Sequence, residues 1–170
     1  MLDSPVAPAR LLLDLRQKLL AKPPTLPAIF QTGDRILAAT ADPTAISPNL
    51  PTERVAVLGS VTIDYLSRAV ACGILAEGTA PVVYQAPFGA YIQEILDPAS
   101  PLHGFGPDLA VIAPTWRDLI APLPIGASAG EVDAALEAKV GLFGTLWDRL
   151  GSKQVRIIRA YPVNADTHYM

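Results

Sequence analysis

The sequence predicts a three-layer αβα fold, in which helices cover both faces of a parallel sheet of about four strands and a helical N-terminal extension precedes it. From residue 54 onward, short apolar runs alternate with helical patterns, and right-handed crossovers between such strands give a parallel sheet. Residues 1–52 differ, because they hold eight of the seventeen prolines and no strand-like apolar run. The chain of 170 residues is 51% apolar, which suits a domain with a real core.

The N-terminal extension is expected to form two helices. The first, over residues 7–21, is indicated by leucines spaced one, three and four residues apart, and Pro23 and Pro24 end it because proline lacks an amide proton. The second covers residues 27–39, with apolar residues at Ile29, Ile36 and Leu37.

Residues 42–52, with three further prolines, are predicted to be a linker to the sheet. We therefore divide the chain into a proline-rich helical extension, residues 1–52, and an α/β domain, residues 53–170.

Four strands are expected in the α/β domain, at residues 54–59, 81–85, 109–114 and 154–160. By analogy with flavodoxin-like sheets, their order is expected to be 2-1-3-4.

Two helices of the α/β domain have clear end signals. The first covers residues 62–77, and Gly78 stands where a left-handed cap is expected. The other begins at Ser128 and ends at Gly151, and Ser128 with Glu131 three residues later forms a capping-box pattern.

Composition excludes several classes of function. A net charge of −3 gives no basic surface for nucleic acid, and no apolar run is long enough to cross a bilayer. One cysteine, Cys72, cannot form an internal disulfide, which is typical of a protein that lives in a reducing cytoplasm or is indifferent to redox conditions; we expect Cys72 to be a buried, inert thiol. We expect no metal and no cofactor, since the chain has two distant histidines and no glycine-rich phosphate loop.

Ser60 is the candidate nucleophile, because it stands where the first strand gives way to a helix. Ligands of open α/β sheets collect outside the carboxyl ends of the strands, and a serine there needs a base and oxyanion donors to react. The alternative is that Ser60 or Thr62 only caps the helix.

Other candidate pocket residues follow the strands: Gly59, Gly89, Arg117 and Asp118. Gly89 allows close approach of backbone to a ligand, or only a tight turn. Arg117 is able to hold a phosphate or carboxylate, or it pairs with Asp118 on the surface.

Neither histidine is a convincing general base. His103 is expected in a short helical turn before the third strand, in a packing or capping role. His168 lies two residues from the end of the sequence, where chains commonly fray.

At these residues the chain resembles the amino-terminal domain of FkbH-like proteins. The motifs, in order, are Leu58-Gly59-Ser60-Val61-Thr62-Ile63-Asp64, Pro87-Phe88-Gly89-Ala90-Tyr91, Gln93-Glu94-Ile95-Leu96-Asp97-Pro98, Ser100, Leu102-His103, Pro107-Asp108 and Arg117-Asp118-Leu119. The resemblance covers about residues 54–160. Its specificity depends on the order and spacing of the motifs, above all between Pro87 and Pro98.

The resemblance implies an SGNH-hydrolase-like domain that precedes a domain of the HAD phosphatase superfamily. Family members transfer a glyceryl unit from a phosphorylated three-carbon donor to an acyl carrier protein, for polyketide-type natural products. The HAD domain carries that chemistry through an aspartate motif with magnesium. This sequence has no such motif, so we expect it to be the first domain alone.

SGNH hydrolases have a functional serine after the first strand and a functional glycine after the second strand. By this resemblance, Ser60 and Gly89 correspond to those two residues. Arg117, in Thr115-Trp116-Arg117-Asp118, stands where an oxyanion-binding asparagine is expected. The family's late Asp-x-x-His is not present, since Asp166-Thr167-His168 has a different spacing, and the fifth strand is expected to be absent.

Three hypotheses follow. The first is an accessory domain that binds an acyl carrier protein or its phosphopantetheine arm and is not itself an enzyme. The second is an SGNH-type esterase or thioesterase with Ser60 as nucleophile. The third is a structural module that forms a homodimer through an exposed strand edge.

Overall fold

The structure, a computed structural model, describes residues 8–119, 123–152 and 154–157. Its helices are α1 (Pro8–Ala21), α2 (Leu26–Ala39), α3 (Asp64–Ala76), α4 (Tyr91–Leu96), α5 (Pro101–Phe105), α6 (Trp116–Leu119) and α7 (Ala129–Leu150). Its strands are β1 (Thr52–Gly59), β2 (Ala80–Gln85), β3 (Leu109–Ala113) and β4 (Gln154–Ile157), with a short 3₁₀ turn at Pro43–Ala45.

The four described strands form one parallel sheet in the order β2-β1-β3-β4, which confirms the predicted fold class and strand order. Side chains of β1 and β3 alternate between the two faces of the sheet. Val55, Val57 and Val111 face the apolar side of α3. Ala56, Leu58, Ala110 and Ile112 face α4, α5 and α7.

The N-terminal helices pack outside α3 and against β2. Leu12 and Leu15 of α1 and Ile36 of α2 are fully buried with Leu75 of α3 and Ala80 of β2. Arg16 also donates a hydrogen bond from Nε to the carbonyl oxygen of Ala76, 3.1 Å away, at the end of α3. This face of the sheet is therefore covered by two layers of helix.

Helices α2 and α3 approach each other at a glycine. A Cβ atom added to Gly33 would lie 2.5 Å from Cβ and 2.8 Å from Cα of Arg68. Since real Cβ atoms do not come so close to a backbone, only glycine permits this contact. The Arg68 side chain then forms an ion pair with Asp34.

Most predicted element ends are confirmed. The capping box of Ser128 and Glu131 is present, and Gly78 and Gly151 have positive φ angles of +94° and +60°. Cys72 is buried, and burial raises the pKa of its thiol to about 11.

Two element starts differ from the prediction by two residues, and one helix of six residues was missed. Strand β1 begins at Thr52, inside the predicted linker, because Thr52 and Glu53 pair with Ala80 and Pro81 of β2. Helix α3 begins two residues later than expected. Helix α4, six residues long, was not predicted. The part of the fourth strand expected beyond Ile157 lies outside the described residues.

Candidate functional site

The candidate site lies where the chain reverses strand order, between the carboxyl ends of β1 and β3. From β1 the chain crosses to β2 on one side, and β3 then pairs on the other side of β1. The loops after β1 and β3 diverge at such a point and leave room for a ligand. Gly59, the last residue of β1, packs so closely here that an added Cβ would lie 3.0 Å from the Ala113 carbonyl oxygen.

Ser60, Thr115 and Asp118 form one hydrogen-bonded cluster, which we call the serine–aspartate cluster. Ser60 Oγ donates to Asp118 Oδ2 at 2.5 Å and accepts from the Thr115 backbone amide at 3.0 Å. Thr115 also donates to Asp118 Oδ2, from its amide at 2.7 Å and its hydroxyl at 2.9 Å. The hydroxyl proton of Ser60 is therefore held by a carboxylate.

The local sequence explains the position of Asp118. Thr115 lies just before α6, and Asp118 is three residues later, so the carboxylate returns to the amide of Thr115. This is half of the capping-box geometry that occurs in full at Ser128 and Glu131. In the sequence, Thr115 is followed three residues later by an acidic residue, Asp118, as Ser128 is followed by Glu131. This pattern would have identified Thr115 as a site residue, but the sequence analysis did not use it.

The helix-cap alternative for Ser60 and Thr62 is wrong. The N-cap residue of α3 is Ile63, and no side chain caps that helix. The hydroxyl of Ser60 instead crosses to the loop after β3. Ser60 is thus a member of a site between two strands and not a local feature of its own helix.

Asp118 is an ionised carboxylate at neutral pH. Burial alone would raise its pKa, but hydrogen bonds from Ser60 and Thr115 and the positive charge of Lys139 outweigh burial and lower the pKa below the ordinary aspartate value. A general base works best when its pKa lies near the operating pH. Asp118 is therefore a weak base for removing the proton of Ser60.

Tyr91 lies in the core beneath this site. Its side chain is buried against β1 and β3, and within the described residues its hydroxyl has no hydrogen-bond partner. Burial, with a smaller contribution from the charge of Asp118, raises the pKa of Tyr91 to about 12. The phenol is therefore neutral, and it is a functional group that the sequence did not single out.

A cleft of about 240 Å³ lies beside the serine–aspartate cluster, between the loops that follow β1 and β2. Its lining is mixed, with Thr62, Asp64 and Gln85 as polar members and Phe88 as an aromatic wall. Phe88 is 76% exposed, although large aromatic side chains are commonly buried. The cleft therefore offers a ligand hydrogen-bonding groups beside an apolar wall.

The structure brings together only some of the predicted site residues. Ser60 and Asp118 are hydrogen-bonded to each other. Gly59, the residue before Ser60, packs against the backbone of Ala113 at the end of β3. Gly89 lies in an exposed turn after β2 with φ of +70°, which confirms the tight-turn interpretation. Arg117 is exposed on α6, next to Asp118.

Histidine does not reach this site within the described residues. His103 lies in α5, as predicted, at the amino end of β3 and therefore at the opposite edge of the sheet from Ser60. Its Nε2 atom is 2.9 Å from the carbonyl oxygen of Ile95. His168 lies outside the described residues.

In residues 8–119, 123–152 and 154–157, no group of three or more His, Cys, Asp or Glu side chains is arranged to hold a metal ion. No helix in those ranges combines the length and the apolar character that a membrane span needs.

Comparison with known proteins gives a likeness of fold. The chain is similar to the crystal structure of the N-terminal part of the protein BF1531 from Bacteroides fragilis, which contains a phosphatase domain complexed with Mg. The TM-score is 0.56 at 20% sequence identity, over 81% of this chain and 35% of that chain. The chain thus spans about a third of the length of that structure. No family model and no curated protein sequence matched.

Proposed function

We propose that this chain is the SGNH-like amino-terminal domain of an FkbH-like protein, and that it assists the loading of a glyceryl or acyl unit on an acyl carrier protein in polyketide-type biosynthesis. The order of motifs from Leu58 to Leu119 supports this proposal. The fold likeness to part of a protein with a phosphatase domain agrees with the domain pairing of that family.

The observation that carries the proposal is the hydrogen bond from Ser60 to an ionised Asp118. A serine nucleophile needs a base that accepts its proton during attack. Here the proton is already held by a carboxylate with a lowered pKa, and the only histidine in the described residues is at the other edge of the sheet. This arrangement favours recognition of a ligand over hydrolysis.

The phosphopantetheine arm of a carrier protein matches the cleft in chemistry. The arm is long, narrow and rich in amides, and its gem-dimethyl group is apolar. In our proposal, Thr62 and Gln85 bind the amides and Phe88 covers the apolar part. Arg117, which lies outside the cleft and is exposed on α6, pairs with the phosphate. Binding at such a site is recognition of a tethered ligand, and it requires no bond to be broken in this domain.

A titration tests the proposal. The probe is an acyl carrier protein from a polyketide assembly line that uses a glyceryl unit, added to the isotopically labelled chain in its apo form and in its phosphopantetheinylated holo form. We expect the holo form to bind more tightly and to shift the amide signals of Thr62, Gln85 and Phe88. Arg117→Ala should weaken binding by up to about fivefold, since an exposed ion pair contributes at most about 1 kcal/mol.

Arg149→Ala, an exposed arginine at the far end of α7, is the matched control and should leave the affinity unchanged. Affinity weaker than millimolar for both forms, with no effect of Arg117→Ala, would contradict the proposal.

An SGNH-type esterase or thioesterase is the second candidate function. The observation in its favour is that Ser60, although engaged with Asp118, lies at the switch point of the sheet, where the nucleophile of such an enzyme would stand. The two candidates differ in whether Ser60 forms a covalent adduct. The homodimer through the edge of the sheet stays a prediction.

A further inference from the structure

A second concave surface lies far along the chain from the serine–aspartate cluster, at the turn between α1 and α2. It is a groove of about 290 Å³, which we call the lysine groove, lined by Lys18, Leu19, Lys22, Pro23, Pro24, Thr25, Ala28 and Thr32. The floor is mostly apolar, and two lysines line it: Lys18 in the last turn of α1 and Lys22 just after that helix ends.

Charge is distributed unevenly between this region and the rest of the chain. Residues 8–41 contain five basic and two acidic side chains, whereas the whole chain has a net charge of −3. Arg16 is used to join α1 to α3. Lys18 and Lys22 are exposed at the groove, so this part of an acidic protein presents positive charge to solvent.

Exposed leucines stand on both sides of the same turn. Leu20, near the end of α1, is 60% exposed, and Leu26, the first residue of α2, is 63% exposed. Leu20 and Leu26 adjoin the lining residues Leu19 and Thr25 in sequence, so they add exposed apolar surface near the groove. The surface is firmly held, because Leu12, Leu15 and Ile36 anchor the two helices in the core.

We propose that the lysine groove is a docking site for an acidic protein that presents the end or face of a helix. Charge complementarity selects that occupant: carboxylates pair with Lys18 and Lys22, while an apolar side chain contacts Leu19, Pro23 and Pro24 in the groove. This proposal rests on the proposed function, and in it the folded part of the carrier protein docks at the lysine groove. The cleft near Ser60 receives the arm.

The test is a binding measurement with charge-reversal variants of the full chain. The probe is the same holo-acyl carrier protein, titrated at low and at moderate salt into wild type and into the double variant Lys18→Glu/Lys22→Glu. We expect affinity to fall about tenfold in the double variant and to fall with added salt in wild type, since exposed ion pairs are weak singly and screened by salt.

The matched control is Arg10→Glu/Arg149→Glu, which makes the same change in net charge at exposed arginines outside the groove. It should change affinity less than about twofold. Circular dichroism and thermal melting verify that each variant is folded.

The outcomes separate the two proposals. Carrier binding that is equal in wild type and in the lysine variant overturns the docking site and leaves the proposed function standing. Binding of vesicles rich in anionic phosphatidylglycerol through the lysines, without carrier binding, overturns the protein partner in favour of a lipid surface. Binding to neither probe overturns both proposals.

Discussion

Replacing Leu12 by alanine is expected to lower the free energy of unfolding by about 2–5 kcal/mol, the range for leucine deletions in a core. Leu12 belongs to α1, in the N-terminal extension, yet its side chain is fully buried with Ile36, Leu75 and Ala80. The substitution leaves a cavity between three helices and the edge of the sheet. Urea denaturation, followed by circular dichroism, measures the change.

Leu13→Ala is the matched control, because the neighbouring leucine on the same helix is 52% exposed. Its effect should stay within about 0.5 kcal/mol. If Leu12→Ala and Leu13→Ala lower the free energy of unfolding equally, α1 is not packed on the sheet as described. The N-terminal extension and the α/β domain would then be two parts that fold independently.

Gly33→Ala is expected to have the second largest effect and to destabilise the protein by about 1–3 kcal/mol, as overpacking does. The added methyl would meet Arg68 backbone atoms at 2.8 and 2.9 Å, so α2 and α3 must move apart. That movement also stretches the ion pair of Arg68 with Asp34. Thermal unfolding of the variant measures the loss.

Gly73→Ala in α3 should change stability in the opposite direction. Gly73 is also inside a helix, but an added Cβ there meets nothing within 4 Å. Alanine is favoured over glycine in helices by about 1 kcal/mol, and this variant should gain up to that amount. A stabilising Gly33→Ala would show that the helices are not in close contact.

The sheet was predictable because its signals are local. Each strand is a short apolar run, and the long helices carry periodic apolar residues with caps at identifiable positions, as at Ser128 and Gly151. The strand order was predicted by analogy with flavodoxin-like sheets, which share this alternation of strands and helices. Helix α4 was missed because six residues, from Tyr91 to Leu96, are too few to show a helical period.

The site was predictable only in part. Its position followed from the rule that ligands bind at the carboxyl ends of strands, and this selected Ser60 and Asp118. The hydrogen bond between Ser60 and Asp118 could not be predicted from the sequence. The two residues are 58 positions apart, and no local pattern links them. The packing of α1 and α2 on α3 was likewise undecided, since apolar periodicity identifies a buried face but not what covers it.

Reaction with a fluorophosphonate ester tests the central claim, that Ser60 donates a hydrogen bond to the Asp118 carboxylate and does not act as a nucleophile. The wild-type chain and Ser60→Ala are incubated with an excess of the reagent and analysed by intact-mass spectrometry and peptide mapping. We predict no adduct on Ser60 and identical spectra for the two proteins, apart from the substitution. A stoichiometric adduct on Ser60 that the alanine variant lacks would contradict the account and establish a serine hydrolase.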